Sequence, residues 1–177
     1  FASFPGGVKT WNACRFGCAP AVFNDRKWLE EVNTQNVLGT VAWAQQAGYA
    51  SVNLGVSFGP PDSGLIQWKC RRGAYPDPSA MSLFVYLRVP PTLRSTFFWQ
   101  HPVFVMEGKQ VTLLAGVAPG AALADILHTF KPLAYRRMTA FKVHCATDFP
   151  ADHRDAIGTM LVQQGLDCPV VWVDNSV

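Results

Sequence analysis

Residues 81–91, MSLFVYLRVPP, place an apolar side chain at every second position from Met81 to Val89. The alternate row is Ser82, Phe84, Tyr86 and Arg88, so aromatic rings stand on both faces. Period-two alternation predicts a strand, and Pro90 and Pro91 end it. The second aromatic row requires cover from outside a simple two-layer sheet.

Other segments alternate with a single apolar face. In YASVNLGVSFG (49–59), Ala50, Val52, Leu54, Val56 and Phe58 point one way. QVTLLAGVAPG (110–120) aligns Val111, Leu113, Ala115 and Val117, and MTAFKVHCAT (138–147) aligns Phe141, Val143 and Cys145. STFFWQHPVFVM (95–106) reads as a β run interrupted at Pro102, EGK (107–109) as a turn, and VVWV (170–173) as a short strand. Residues 10–23 give a further short β-like run, ended by Pro20.

One stretch changes period. In NTQNVLGTVAWAQQAG (33–48), Val37, Leu38, Val41 and Ala42 form a stripe at helical spacing. Asn33 or Thr34 suits its N-cap and Gly48 its C′ position. AALADILHTF (121–130) predicts a short helical turn. DHRDAIGTMLVQQG (152–165) fits a helix through Ile157, Met160 and Leu161, or a strand over 156–162, because Gly158 and Thr159 weaken the helix. After the breaker GPPDSG (59–64), LIQWKCRRGAYPDP (65–78) reads as a long loop. Seven or eight short strands, punctuated by Pro and Gly and joined by one clear helix, predict an all-β sandwich or barrel. The length fits a single domain over 1–177, with 1–9 an extended N-terminal segment.

Composition sharpens this in one respect. Charged residues are 15% and hydrophobic residues 49%, which fits a β-rich chain or one that dries its flanks against partners. The net charge of +3 is too mild to imply nucleic-acid binding by itself. No run of 18 apolar residues predicts a membrane span, and no secretory pattern is visible. The five cysteines, Cys14, Cys18, Cys70, Cys145 and Cys168, are odd in number and scattered, as reduced structural thiols are.

Candidate chemistry is sparse. Cys14 and Cys18 form a C-x₃-C pair, but no second pair answers it, although His101, His144, Cys145, His153 and Cys168 are present. On a strand, His144 and Cys145 face opposite sides. Cys14 with His144 is the available thiol–base pair, and no signature surrounds it. Phosphate-loop, HExxH and GxSxG motifs are absent. Asp148, Asp152 and Asp155 read as a solvated turn. The loop WKCRRGAY (68–75) could meet nucleic acid through Lys69, Arg71 and Arg72 with Trp68 or Tyr75 stacking; a solvated or subunit-contacting loop is the plainer reading, for Arg136 and Arg137 too. The residues predict no catalytic group, cofactor or metal.

In order along the chain, TQNVLGTVAWAQQAGYASVNLGVSFG, SLFVYLRVPP, KQVTLLAGVAPG and AFKVHCATDFPADHRDAIGTMLV resemble the small coat proteins of comoviruses and fabaviruses, picorna-like plant viruses of the secovirus family. The resemblance spans roughly 24–173, with FNDRKWL fitting weakly; the loop 59–80 is longer and 121–137 lacks the family's pattern. It implies a single eight-stranded jelly-roll β-sandwich with one or two short helices, and makes 156–162 a strand. It also implies a structural, non-enzymatic subunit of an icosahedral virion, present in virions and the host cytoplasm. That subunit would assemble with copies of itself around the fivefold axis and with a two-domain large coat protein, around single-stranded RNA and without a membrane. Trp68, Lys69, Arg71, Arg72 and Tyr75 then become candidate fivefold-loop residues, and Trp99 and His101 a second subunit contact. The competing expectation is a monomeric β-sandwich that binds a ligand or hydrolyses through a thiol.

Overall fold

The computed structural model describes residues 2–3, 9–13, 25–55, 60–76, 87–108 and 110–174. These form two compact units, 1–56 and 57–177.

In the N-terminal unit, β1 (Ala2–Ser3) pairs antiparallel with β2 (Lys9–Asn12), and β2 pairs parallel with β3 (Ser51–Asn53). The crossover between β2 and β3 contains α1, Arg26–Gln46. Asp25 caps it by accepting from the backbone N–H groups of Lys27 and Trp28 at 2.9 and 3.2 Å. Gly48 takes φ 75° just past its end, the left-handed conformation that favours glycine. The helix therefore starts well before Asn33. Its inward stripe is also rotated from the expected one: Val37 and Ala44 are buried, whereas Leu38 and Val41 are exposed. Trp11 of β2 and Trp43 of α1 meet edge to face at 4.7 Å, and Tyr49 closes the cluster.

The C-terminal unit contains α2 (Gly64–Cys70), α3 (Arg94–Gln100), β4 (Val103–Glu107), β5 (Gln110–Gly116), α4 (Leu123–Phe130), β6 (Ala140–Cys145), α5 (Ala151–Gln163) and β7 (Val170–Asp174). Its sheet runs β4-β5-β6-β7. β4 and β5 are an antiparallel hairpin turned at Gly108, whereas β5, β6 and β7 are parallel. Two successive βαβ crossovers advance in one direction, so crossovers of one hand place α4 and α5 on the same face.

That face holds the core. Leu113 and Ala115 of β5 and Phe141, Val143 and Cys145 of β6 pack against Ile126 and Phe130 of α4 and Ile157 and Leu161 of α5. Each fully buried large side chain contributes about 1.5–3 kcal/mol. The opposite face of the sheet is covered by α3. Phe98 stacks on the buried His144 at 5.1 Å. At Gly116 the helix backbone lies so close that a Cβ would stand 2.0 Å from the Ser95 carbonyl oxygen and 2.8 Å from the Trp99 nitrogen.

The all-β jelly roll is thus overturned: helices interleave with small parallel and mixed sheets. Residues 95–100, expected as strand, are helical; the Pro90–Pro91 step starts a short 3₁₀ turn at Pro91–Leu93 that leads into α3, whose Ser95 and Phe98 face the sheet. Residues 64–70, expected as loop, form a helix capped by Ser63. The ambiguous 151–163 is α5 rather than a strand beside β6. Of the opening 81–89 stretch, 81–86 lies outside the described residues, and Leu87–Pro90 belongs to no regular element. The coat-protein resemblance implied the jelly roll, so its expectations about assembly lose their structural footing.

Gly116→Ala is expected to destabilise the protein by about 1–3 kcal/mol, because helix backbone cannot yield as a side chain can. Gly158→Ala, whose Cβ meets nothing within 4 Å inside α5, is expected to stabilise by about 0.5–1 kcal/mol. Urea unfolding of the two variants checks the pair.

Candidate functional site at the carboxyl edge of the parallel strands

Three parallel strands deliver three chain ends to one edge of the sheet. At the first, β5 ends at Gly116 and continues through Val117, whose N–H donates to the His144 carbonyl at 2.8 Å. Residues 118–121 then make a tight turn, with the Ala121 N–H donating to the Ala118 carbonyl at 3.1 Å. Pro119 occupies its second position and Gly120, at φ 75°, its third. That is the chemistry of a type II turn. It feeds α4, whose N-cap is Ala122 and whose start has no side-chain cap. An uncapped start leaves N–H donors for solvent or a ligand.

At the second end, β6 stops at Cys145 and the chain turns through exposed Asp148 into α5. Phe149 is stacked on Trp172 of β7 at 5.7 Å. At the third end, Asp174 accepts from Arg154 Nη2 at 2.7 Å and from the Cys145 thiol at 3.7 Å. The Arg154 guanidinium also lies 5.6 Å from the Trp172 ring. Its Nε is buried with no hydrogen-bond partner among the described residues, so one donor at this edge is unfilled.

Charge at the edge is lopsided. Residues 110–130 contain no Lys or Arg, and Asp125 sits in the first turn of α4. Asp148, Asp152 and Asp174 follow, with Arg154 already bonded to Asp174. The edge is therefore suited to hydroxyl donors or a cation, and poorly suited to phosphate.

Burial disfavours the nucleophilic thiolate at the described cysteines. Burial pushes Cys145 up to about 11, an effect that the nearby Arg154 guanidinium only partly opposes. Burial likewise raises Cys70 and Cys168 to about 11. Cys14 lies outside the described residues. His144 and Cys145 do face opposite sides of β6, His144 toward α3 and Cys145 into the core.

The residues expected at a subunit contact separate into two groups. Trp68 and Lys69 lie on α2, and Arg71 and Arg72 on the turn after it. Arg72 lies over the Trp68 ring at 4.1 Å and also donates to the Trp68 carbonyl at 2.9 Å. Burial lowers the Lys69 ammonium from its ordinary range. Tyr75 is covered on one side by the Arg137 guanidinium at 4.2 Å. Trp99 and His101 are elsewhere, on α3 and its C-cap. Trp99 is half-buried, with its ring 6.2 Å from that of Phe130, and His101 is exposed beside Phe97.

The N-terminal unit has an open groove of about 410 Å³ lined by Trp11, Asn36, Thr40 and Trp43 among others. None of the described residues lining it is titratable, and a neighbouring groove of about 320 Å³ adds one carboxylate, Glu31. At the carboxyl edge, the sequence pattern makes Asp148 and Asp152 a solvated turn and does not bring Gly120 or Asp174 beside them. The available signal was the strand–helix–strand alternation from 110 to 174 with GVAPG at its first junction; it is visible only once 151–163 is read as helix.

Comparison with known families, with characterised proteins and with solved structures finds no match to this chain.

All three raised thiols act on stability in one direction. Each stays protonated in the folded chain up to about pH 11, against an ordinary value of 9.0. Their contribution is present below pH 9 and is lost as pH rises from 9 to 11. Denaturation midpoints measured across that window are expected to fall, and to fall less in Cys145→Ala.

Proposed function

We propose that the C-terminal unit binds a phosphate-free nucleoside cofactor across the carboxyl edge of β5, β6 and β7. The observation that carries this is the junction between β5 and α4. In open α/β sheets, ligands occupy the crevice outside the carboxyl ends of the parallel strands. Here the parallel strands follow in the order β5-β6-β7, and β5 carries α3 on one face and α4 on the other. The Gly120 turn keeps the backbone low at that point, and the uncapped start of α4 supplies N–H donors. The argument is one of fold-level analogy, strengthened by the chemistry of the residues present.

Those residues narrow the ligand. A carboxylate just past the second strand of a βαβ unit suits ribose hydroxyls, and Asp148 holds that place. A dinucleotide or nucleoside triphosphate needs cations or an unopposed helix N-terminus for its phosphates. This edge offers Asp125 in the first helical turn and no free Lys or Arg in 110–130. A nucleoside bearing its own positive charge meets the acidic edge without repulsion. S-adenosylmethionine, a ribosyl sulfonium, is a ligand of that kind, and when bound it supplies a transferable methyl group.

Isothermal titration of the full chain against S-adenosylmethionine, S-adenosylhomocysteine, adenosine, ATP and NAD tests the reading. The adenosine-type ligands without phosphate are expected to bind, with ATP and NAD at least tenfold weaker. Asp148→Asn is expected to weaken the bound ligand roughly tenfold, the cost of a hydrogen bond to a charged acceptor. Binding led by ATP, or no binding across the panel, would overturn it.

A further inference from the structure

Four of the nine arginines, Arg71, Arg72, Arg136 and Arg137, belong to two short segments of the C-terminal unit, more than sixty residues apart in sequence. Several contacts bring the segments together. The Arg137 guanidinium lies over Tyr75 at 4.2 Å. The Tyr135 hydroxyl donates to the Pro61 carbonyl, just ahead of α2. Arg71 stands near enough to Tyr135 to act on its hydroxyl electrostatically, although burial is the stronger influence there and raises it.

The backbone is bent to hold this arrangement. Arg137 adopts φ 58°, a left-handed conformation that is uncommon outside glycine. Its N–H donates to the Asp167 carboxylate at 2.9 Å. Arg136 packs its guanidinium against Gly165, at the C-terminal end of α5, where a cation is favoured by the helix dipole. Among the described residues, Asp62 and Asp167 are the carboxylates nearby. Among the described residues, no carboxylate is ion-paired with the side chain of Arg71, Arg136 or Arg137. Tyr75 remains 39% exposed. Aromatics in contact with arginine, beside the exposed Arg71, Arg136 and Arg137, are what a flexible polyanion with flat bases requires: charges along its backbone and rings for its bases. A membrane surface would call for a broad apolar face beside the basic residues, and α2 exposes Leu65 alone among its large aliphatic side chains.

We propose that this surface, formed by Trp68, Arg71, Arg72, Tyr75, Arg136 and Arg137, binds single-stranded nucleic acid without base specificity. Arg136 and Arg137 lie on the segment entering β6, and Asp167 on the segment entering β7. The surface is therefore separate from the carboxyl edge and does not depend on the cofactor reading.

Fluorescence anisotropy of the full chain with a labelled 20-nucleotide oligouridine, titrated at several salt concentrations, tests it. Binding is expected to weaken with salt. The double variant Arg71→Ala/Arg137→Ala is expected to reduce the log–log slope by about 1.4, roughly 0.7 for each phosphate no longer neutralised. Tyr75→Ala is expected to weaken binding roughly tenfold, through the loss of stacking, and Tyr75→Phe to keep it. Lys131→Ala, an exposed cation outside the surface, measures the cost of losing a charge anywhere. Should the double variant fail to fold by circular dichroism, Arg71→Gln alone carries the test with half the slope change. The proposal is overturned if the oligonucleotide does not bind or if Lys131→Ala matches the loss caused by Arg71→Gln. It is equally overturned if phosphatidylserine vesicles retain the protein while oligouridine does not.

Discussion

Burial of one face of β5 and β6 beneath α4 and α5 is the constraint from which the C-terminal unit follows. Leu113, Phe141, Val143, Ile126, Ile157 and Leu161 reach essentially zero exposure there. Parallel pairing is the geometry that lets a helix return over the same face between successive strands. Parallel strands in turn send every chain end to the same edge. The concentration of Gly120, Asp148 and Asp174 at that edge is a consequence of the core rather than a separate feature.

The second face adds a constraint of its own. α3 lies against β5 closely enough that only glycine fits at 116, and Phe98 covers His144. With this coverage from the opposite side, β5 carries a helix on each face. Gly116 thus has a packing reason independent of any ligand. Gly120 has a different reason, its positive φ in the turn.

The two surfaces divide their chemistry. The carboxyl edge is acidic, and the Arg154 guanidinium there bonds Asp174 through one of its nitrogens. The Tyr75–Arg137 surface is basic and aromatic. Net charge of +3 conceals this separation, because a sum over the chain says nothing of where charges gather. Under the two proposals, charges segregated in this way would give a nucleoside and a polyanion separate sites on one unit.

Alternation of apolar residues was enough to locate β5 and β6, since a strand's two faces are written at every second position, and the β-branched run VVWV located β7. Capping chemistry likewise placed the end of α1, at Gly48. What alternation did not carry is how strands pair, because a parallel and an antiparallel neighbour demand the same apolar face. The sequence alone also left 151–163 open. Two core contacts, Ile157 and Leu161, satisfy a helix, while Gly158 and Thr159 argue against it, and only packing against α4 and β6 decides. Aromatic-rich 95–100 has strand propensity, yet tertiary contact with Gly116 and His144 makes it a helix. Arg137 and Tyr75 could not be joined from sequence at all: their meeting depends on the segment before β6 reaching the turn after α2. Local pattern determined which segments are strands and where α1 stops; long-range packing decided their pairing, the fate of the ambiguous segments and the company each charged side chain keeps.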